Sequence, residues 1–317
     1  MTHCTIDWSP LSPDLWNRYF CEIRRSTLLQ HFPFAQANRI ANNVGARHGV
    51  IEIDGKRAGL VQLSEVGVLR NLIQAVSLDR GPLWFDGFGT AEHAAVFFQT
   101  LAKLYPKRFG RKVRILPELK DNWCNRRLLD QAGFRRREAV SGYETIWLNL
   151  DGSPEKLRSK LHGKWRNALS KSERSSLVVK EDWSGESLLE FMLAYELDLL
   201  EKDYSGPSTK LITELMKFMV PRGEAVIFNA MDQGRTVAAI LVFLHGASAT
   251  YQVGWTSDRG RKLAAHHQLL WRAMLSLKER GIRDLDLGGV NDEGAAGIKR
   301  FKTGLGGEEV ALVGFFN

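Results

Sequence analysis

In the stretch GIKRFKTGLGG (297–307), Lys299, Arg300 and Lys302 surround one aromatic, Phe301, and Gly304, Gly306 and Gly307 follow at once. Basic side chains beside a flexible, amide-rich backbone can hold an anion, and they can equally decorate a surface turn. A second basic cluster lies upstream, where residues 153–175 hold seven cations against Glu155 and Glu173. Ser153 as N-cap and Pro154 at the first helical position open a helix that the pattern carries to about Arg174. Leu157, Leu161, Trp165 and Leu169 recur every fourth residue and give it one buried face. Lys160, Lys164, Arg166 and Lys171 occupy the remaining surface, either as a solvated face or as contacts to nucleic-acid phosphates whose affinity falls steeply with salt. Arg166 and Asn167 sit beside Trp165 and Ala168, so one of them could instead tether the structure.

Other chemistries find little support. Cys4, Cys21 and Cys124 are far apart with no CxxC spacing, which removes a disulfide framework and a zinc ribbon. His266 and His267 are adjacent at a helix start and so face different directions rather than one metal. With no Cys-His pair, no HExxH and no GxSxG, neither a metal nor a covalent enzyme intermediate is expected. The chain of 317 residues carries a net charge of +8, a balance suited to an anionic partner: RNA, a nucleotide-linked substrate or an anionic membrane surface. Its longest apolar stretches, such as AAILVFL (238–244), are too short to span a bilayer, and Asp7, Asp14 and Arg18 argue against a secretory signal. A cytoplasmic location is expected.

The elements that position these residues come as an internal repeat. GVIEIDGKRAGLVQLSE (49–65) reads as strand, Asp54-Gly55 turn and strand, and AVIFNAMDQGRTVAAILVFLHG (225–246) repeats that plan around Gln233-Gly234. A further strand and a helix follow each hairpin, at 90–106 in the first half and 263–281 in the second. Leu269, Leu270, Ala273, Met274 and Leu277 make the buried face of the latter. Each half then supplies a short strand and a second helix: RKVRILPE (111–118) with 122–134, and RDLDLGG (283–289) with 293–307. A final strand, VALVGFF (310–316), closes the second unit, so domains are expected at 1–145 and 146–317.

Strand-turn-strand, strand, helix, strand, helix, strand is the order of the GNAT acyltransferase fold, an α/β class with mixed sheets. Two such units in tandem resemble the FemABX family of aminoacyl-tRNA-dependent peptidyltransferases. Four stretches carry the resemblance: LLQHFPFAQANR (28–39), SLDRGPLW (77–84), LHGKWRNALSKSER (161–174) and FKTGLGG (301–307). They are similar to the family's Leu-Gln-Ser segment, Arg-Gly-Pro strand, Lys-x-Arg-x-Asn helix and Phe-Lys-x-Gly-Phe-Gly signature. The resemblance implies an aminoacyltransferase that joins a tRNA-borne amino acid to an amine, most simply a peptidoglycan precursor peptide. Aminoacyl-tRNA would be a co-substrate, with no cofactor and no DNA partner.

In that setting Lys302 would stabilise the oxyanion or hold a substrate phosphate, with Phe301 as its packing partner or a wall for the acceptor. Family members hold a UDP-linked acceptor with a lysine of the first domain and an arginine of the second. Here those positions read as Asn38 with Arg39 beside it, and as Lys202 with Tyr204 nearby. Asp286, on the strand leading to the glycine-rich loop, could act as general base or simply bind backbone, and Glu118 and Asp121 are the other carboxylates in play. Tyr251, on ATYQVGW, lines a cleft or packs across strands. The cleft itself would lie between the units or across the second.

The rival reading is acetyl-CoA chemistry. GNAT enzymes bind the CoA pyrophosphate with backbone amides at the start of the first long helix. DRGRKLAAH (258–266) keeps Arg259 and Ala264 of an Arg-x-x-Gly-x-Ala loop, but Lys262 stands at the glycine position. A non-catalytic RNA-binding module using the basic helix alone is the third possibility.

Overall fold

The computed structural model describes residues 2–68, 72–138, 142–202, 206–290 and 296–317. It divides into unit 1, Met1–Glu144 together with Val310–Asn317, and unit 2, Thr145–Glu309.

Unit 1 runs β1 (Cys4–Asp7), α1 (Pro13–Cys21), α2 (Phe32–Asn42), β2 (Gly45–Ile53), β3 (Lys56–Val68), β4 (Ile73–Gly81), β5 (Leu83–Trp84), α3 (Ala91–Leu104), β6 (Arg111–Pro117) and α4 (Trp123–Gln131). The strands form a sheet in the order β1-β2-β3-β4-β6, with β5 also on β3. The β2–β3 hairpin closes at Asp54 and Gly55 with φ of 50° and 74°, the pair of positive dihedrals that an Asp-Gly turn supplies. Phe97, Phe98 and Leu101 of α3 are buried against Ile51, Val61, Leu63 and Leu78. Trp16 and Phe20 of α1 are buried in a separate cluster with Val50 and Leu60. Successive strand residues face opposite sides, so one sheet carries two cores.

Two of the stretches quoted from the sequence meet inside unit 1. The Gln30 amide donates to the carbonyls of Gln62 (3.0 Å) and Asp79 (2.9 Å), and its oxygen accepts from the Gln62 N–H at 2.7 Å. A β-carbon on Gly81 would come within 2.9 Å of that amide, so glycine is required where the Arg80-Gly81-Pro82 backbone passes. Arg80, with φ of 53°, sends a buried guanidinium to Glu118 in a paired contact of 2.8 Å at both ends.

Unit 2 contains β7 (Glu144–Asn149), whose first residue is the last of unit 1's main segment, then α5 (Pro154–Lys160), α6 (Gly163–Glu173), β8 (Val178–Asp182), α7 (Leu188–Lys202), α8 (Thr209–Met219), β9 (Ala225–Asp232), β10 (Arg235–His245), β11 (Ser248–Thr256), α9 (Asp258–Lys262), α10 (Ala265–Glu279), β12 (Asp284–Asp286), α11 (Ala296–Thr303) and β13 (Glu308–Ala311). The strand order is β13-β7-β12-β11-β10-β9-β8. Gln233 and Gly234 close the β9–β10 hairpin at φ of 49° and 80°, repeating the first hairpin. The expected inner face of α10, from Leu269 to Leu277, is buried. No helix among the described residues is long and apolar enough to cross a membrane.

Two expectations are corrected. The single helix from Ser153 to Arg174 is two helices, because Leu161 and His162 adopt extended dihedrals and the His162 N–H turns outward to the Gly304 carbonyl at 2.9 Å. The strand 310–316 does not close unit 2 throughout. Only Glu308–Ala311 pairs in the second sheet, while Phe316 lies antiparallel to Ile115 with reciprocal bonds of 2.9 Å, on the edge of β6 in unit 1.

Candidate active site

The corresponding parallel strand pairs differ between the units. In unit 1, β4 and β6 stay paired from Gln74 with Arg111 to Gly81 with Pro117. In unit 2, β11 pairs with β12 only from Ser248–Thr250 to Asp284–Asp286, although β11 continues to Thr256. A register shift between Leu241 and Val242 on β10 leaves Gln252 as an extra residue of β11 just past the parting. Unit 2 thus opens its sheet where unit 1 keeps its own closed.

The parting point gathers Tyr251, Gly288, Gly289 and Lys302. Lys302, on the last turn of α11, is buried, and its ammonium donates to the Gly289 carbonyl at 2.9 Å. The same nitrogen stands 5.4 Å from the centre of the Tyr251 ring. A β-carbon on Gly288, whose φ is 72°, would meet the Tyr251 carbonyl at 3.1 Å. The paired glycines therefore let the chain after β12 turn toward β11 and present a carbonyl to the lysine. The sequence reading did not single them out, although the Gly288-Gly289 doublet immediately after a short strand was a visible signal for a tight backbone approach.

Asp286 is fully buried and faces this turn from below. It accepts from the Gly288 N–H at 2.8 Å and from the Thr145 hydroxyl, which also lies 3.1 Å from the Gly288 carbonyl. The Gly288 contact is the kind of backbone binding that one of its two readings expects. Thr145, missed in the sequence, completes the clamp from β7.

Phe301 points elsewhere. Its ring packs edge-on against His267 at 4.9 Å and tilts against Trp165 at 6.0 Å. These three line a cavity of about 410 Å³ with His162, Lys164 and Arg300 around it. Burial holds the His267 imidazole below its ordinary pKa and pushes that of His266 down to about 4. A neutral aromatic floor thus sits beneath cationic side chains.

The glycines of FKTGLGG are explained by packing. A β-carbon on Gly304 would stand 2.7 Å from the Trp165 indole, one on Gly306 2.2 Å from the Lys160 carbonyl, and one on Gly307 2.6 Å from Ile146 and Leu148. The loop after α11 seats itself against the break between α5 and α6 and against β7, and that close seating fixes the helix end bearing Lys302.

The turn that holds a CoA pyrophosphate in GNAT enzymes has a different build here. After β11, Ser257 caps the short helix α9, receiving the Gly260 N–H at 3.1 Å, and the amides of Arg261, Leu263 and Ala264 bond to carbonyls within the same turn. Ala264 itself takes a left-handed φ of 53°. Arg259 is bound to Asp232 at 2.7 Å and Arg261 to Asp258 at 2.7 Å. Three amides of this turn, those of Arg261, Leu263 and Ala264, are thus taken up by the protein's own backbone.

The remaining expected residues are dispersed. Lys160 ends α5, and Lys164, Arg166 and Lys171 are exposed on α6. Lys164 and Lys171 are seven residues apart and share one side, with Arg166 about 200° round the axis from Lys164. Arg166 and Asn167 are both exposed. In unit 1, Arg39 is exposed on the last turn of α2, and Asn38 bonds to Asn42 at 2.8 Å. Glu118 is committed to Arg80, and Asp121 to Arg126, whose guanidinium holds that carboxyl below the usual range. The Lys202 side chain and Tyr204 lie outside the described residues.

Residues 156–303 match the acetyltransferase (GNAT) domain family, which makes unit 2 a GNAT-type acyltransferase domain. Over 97% of this chain and 96% of the other, the fold superposes on the crystal structure of FemX with a TM-score of 0.79 at 14% identity. A C-terminal domain of a lysylphosphatidylglycerol synthetase from Agrobacterium fabrum covers 96% of this chain and 92% of its own, at TM-score 0.53 and 11% identity. A tandem GNAT protein of the clavulanic acid pathway covers 99% and 98%, at TM-score 0.50 and 14% identity. No curated protein matches the chain by sequence. The fold is a tandem pair of GNAT-like domains, the one that FemX shares.

Proposed function

We propose, from the premise that this chain is an acyltransferase built as two GNAT-like units on the fold of FemX, that it transfers an amino acid from aminoacyl-tRNA to an amine in the cytoplasm. The acceptor in this reading is a peptidoglycan precursor peptide. The observation that carries the choice of donor is the α9 turn, where the amides of Arg261, Leu263 and Ala264 bond internally and Arg259 and Arg261 are paired to Asp232 and Asp258. A donor bound without that phosphate cradle fits an ester of tRNA better than a CoA thioester.

The chemistry needs little from the protein beyond placement and charge. The acceptor nitrogen uses its lone pair to form the C–N bond, giving a tetrahedral intermediate with negative charge on the former carbonyl oxygen. Collapse breaks the ester C–O bond, the ribosyl oxygen leaves with the electron pair, and the proton shed by nitrogen ends on that oxygen. In the opening between β11 and β12, the Lys302 ammonium supplies fixed positive charge for the oxyanion. The exposed cations of α6 would meet phosphates of the tRNA.

The test is transfer from a mixed, radiolabelled aminoacyl-tRNA pool to a panel of amines that includes a UDP-linked precursor pentapeptide, with labelled acetyl-CoA in a parallel reaction. The expected result is label in an acceptor, abolished by ribonuclease. Because the domain family of unit 2 is one of acetyltransferases, N-acylation from acetyl-CoA is the second reading, and label arriving only from acetyl-CoA would replace the first.

A further inference from the structure

We propose that one end of unit 1, built from the ends of β3 and β4 and the loop between α3 and β6, docks on an anionic phospholipid bilayer. Large apolar side chains are exposed there together. Phe109 is 101% exposed, Leu72 67%, Ile73 55% and Val68 53%, with Val66 and Leu104 beside them. Scattered exposed apolar residues are ordinary, but a contiguous group on one rim marks a contact surface.

The start of β4 and the loop before β6 are tied together. The Gln74 N–H donates to the Gly110 carbonyl at 2.8 Å, and the Arg108 guanidinium donates to the Leu72 carbonyl at 3.1 Å. A β-carbon on Gly110, whose φ is 76°, would strike that same carbonyl at 2.3 Å. Val68 and Ile73 face each other across the β3–β4 ladder. Phe109 is thus held outward at the apex by a braced backbone, not by burial of its ring.

The charge beside this apolar rim is predominantly positive, with Glu65 bonded to Tyr105 and Asp79 to Arg114 as the carboxylates near it. Residues 107–114 hold five cations, Lys107, Arg108, Arg111, Lys112 and Arg114, and no carboxylate. All five line an adjoining groove of about 1040 Å³ that has no aspartate or glutamate among its lining residues. Arg114 is paired with Asp79 at 3.2 Å on the flank, so the positive field is strongest nearer Phe109.

Cations alone would suit RNA phosphates equally well. The aliphatic side chains decide between them, since Val68, Leu72 and Ile73 gain nothing from a phosphodiester backbone but are removed from water at the headgroup–acyl boundary. An aromatic ring at the apex with lysines and arginines behind it matches the order of layers in a bilayer interface: acyl chain, then anionic headgroup. With no membrane-crossing helix among the described residues, the contact is peripheral and reversible.

The experiment is cosedimentation of the full chain with sucrose-loaded vesicles of phosphatidylglycerol and phosphatidylcholine in equal parts, against pure phosphatidylcholine, at low and high salt. The expected result is at least about tenfold stronger partition onto the anionic vesicles, weakened by salt. L72D/F109D should lower it at least about tenfold at an unchanged melting temperature, because both side chains are exposed. K107E/K112E provides a second variant that leaves the apolar rim in place and should also release the protein. Equal partition onto neutral vesicles, or anionic binding untouched by either variant, would overturn the proposal. So would a protein that stays in the supernatant while binding tRNA through Lys107 and Lys112, which would make the surface an RNA contact instead.

Discussion

Lys302 Nζ and the carbonyl oxygen of Gly289 lie 2.9 Å apart, joining the last turn of α11 to the backbone that leaves β12. The bond aims a buried positive charge at the parting of the strands. Replacing Lys302 with Met should keep most of the buried packing and remove the charge. We expect kcat for aminoacyl transfer to fall about a hundredfold or more, the usual loss of an oxyanion-stabilising group, with the melting transition still cooperative. Unchanged turnover in a folded Lys302→Met protein would take the lysine out of the mechanism.

Asp286 receives the Gly288 N–H and the Thr145 hydroxyl, so its removal should register in stability before chemistry. Asp286→Asn should cost about 1–3 kcal/mol in urea unfolding, the range for disturbing a buried, satisfied acceptor. The acidic limb of the pH–rate profile should stay where it is in the wild type. Disappearance of that limb would return Asp286 to the role of general base.

Gly306 combines a positive φ of 75° with a backbone approach that leaves no room for a methyl group beside the Lys160 carbonyl. Gly306→Ala should destabilise the protein by about 2–3 kcal/mol and lower activity by displacing the end of α11. Gly133, also at positive φ but with open space around its β-carbon position, is the control. Gly133→Ala should cost less, about 1 kcal/mol, from the backbone alone.

His48 stacks on Phe32 at 4.5 Å and bonds to Gln62 at 2.8 Å, and burial pushes its pKa from 6.5 down to about 4. The unfolded chain therefore takes up the proton more readily than the folded one. Stability is full above pH 6.5 and is lost as the pH falls toward 4. His266 works in the same direction over the same range. Denaturant midpoints measured across that window should show a slope that His48→Gln reduces, and an unaltered slope would mean that the imidazole is not held neutral.

Glu118 closes a salt bridge around the buried guanidinium of Arg80, which also lies over the Tyr143 ring at 4.7 Å. Glu118→Gln should destabilise unit 1 by about 1–3 kcal/mol, because it takes the carboxylate charge away from the buried Arg80 guanidinium. Calorimetry reads that loss directly. A KM effect without a stability effect would restore Glu118 as a substrate contact.

What the sequence made legible was local or periodic. Asp54-Gly55 and Gln233-Gly234 turn with the dihedrals their types prefer, and the spacing from Leu269 to Leu277 named the inner face of α10. Long-range contacts stayed hidden. Between 153 and 174 only Gly163, where α6 begins, hinted at a break, and its cause lies where Gly304 and Gly306, far along the chain, come up against His162 and Lys160. The carboxylates were recognisable as titratable groups, but the partners that occupy them, Thr145 and Arg80, are assembled only by the fold. The basic run at 107–114 is present as letters, but its apolar companions come from a different hairpin and join it only in the fold.

The pairing of Phe316 with Ile115 has a consequence for synthesis. A polypeptide leaves the ribosome in order, and a domain ordinarily folds once its own segment has emerged. Unit 1 cannot do so here, because the segment that covers the edge of β6 is translated after all of unit 2. Until then β6 has an open edge beside nascent chain, where mispairing with another strand is the hazard. The half that is made first is therefore the half that is finished last.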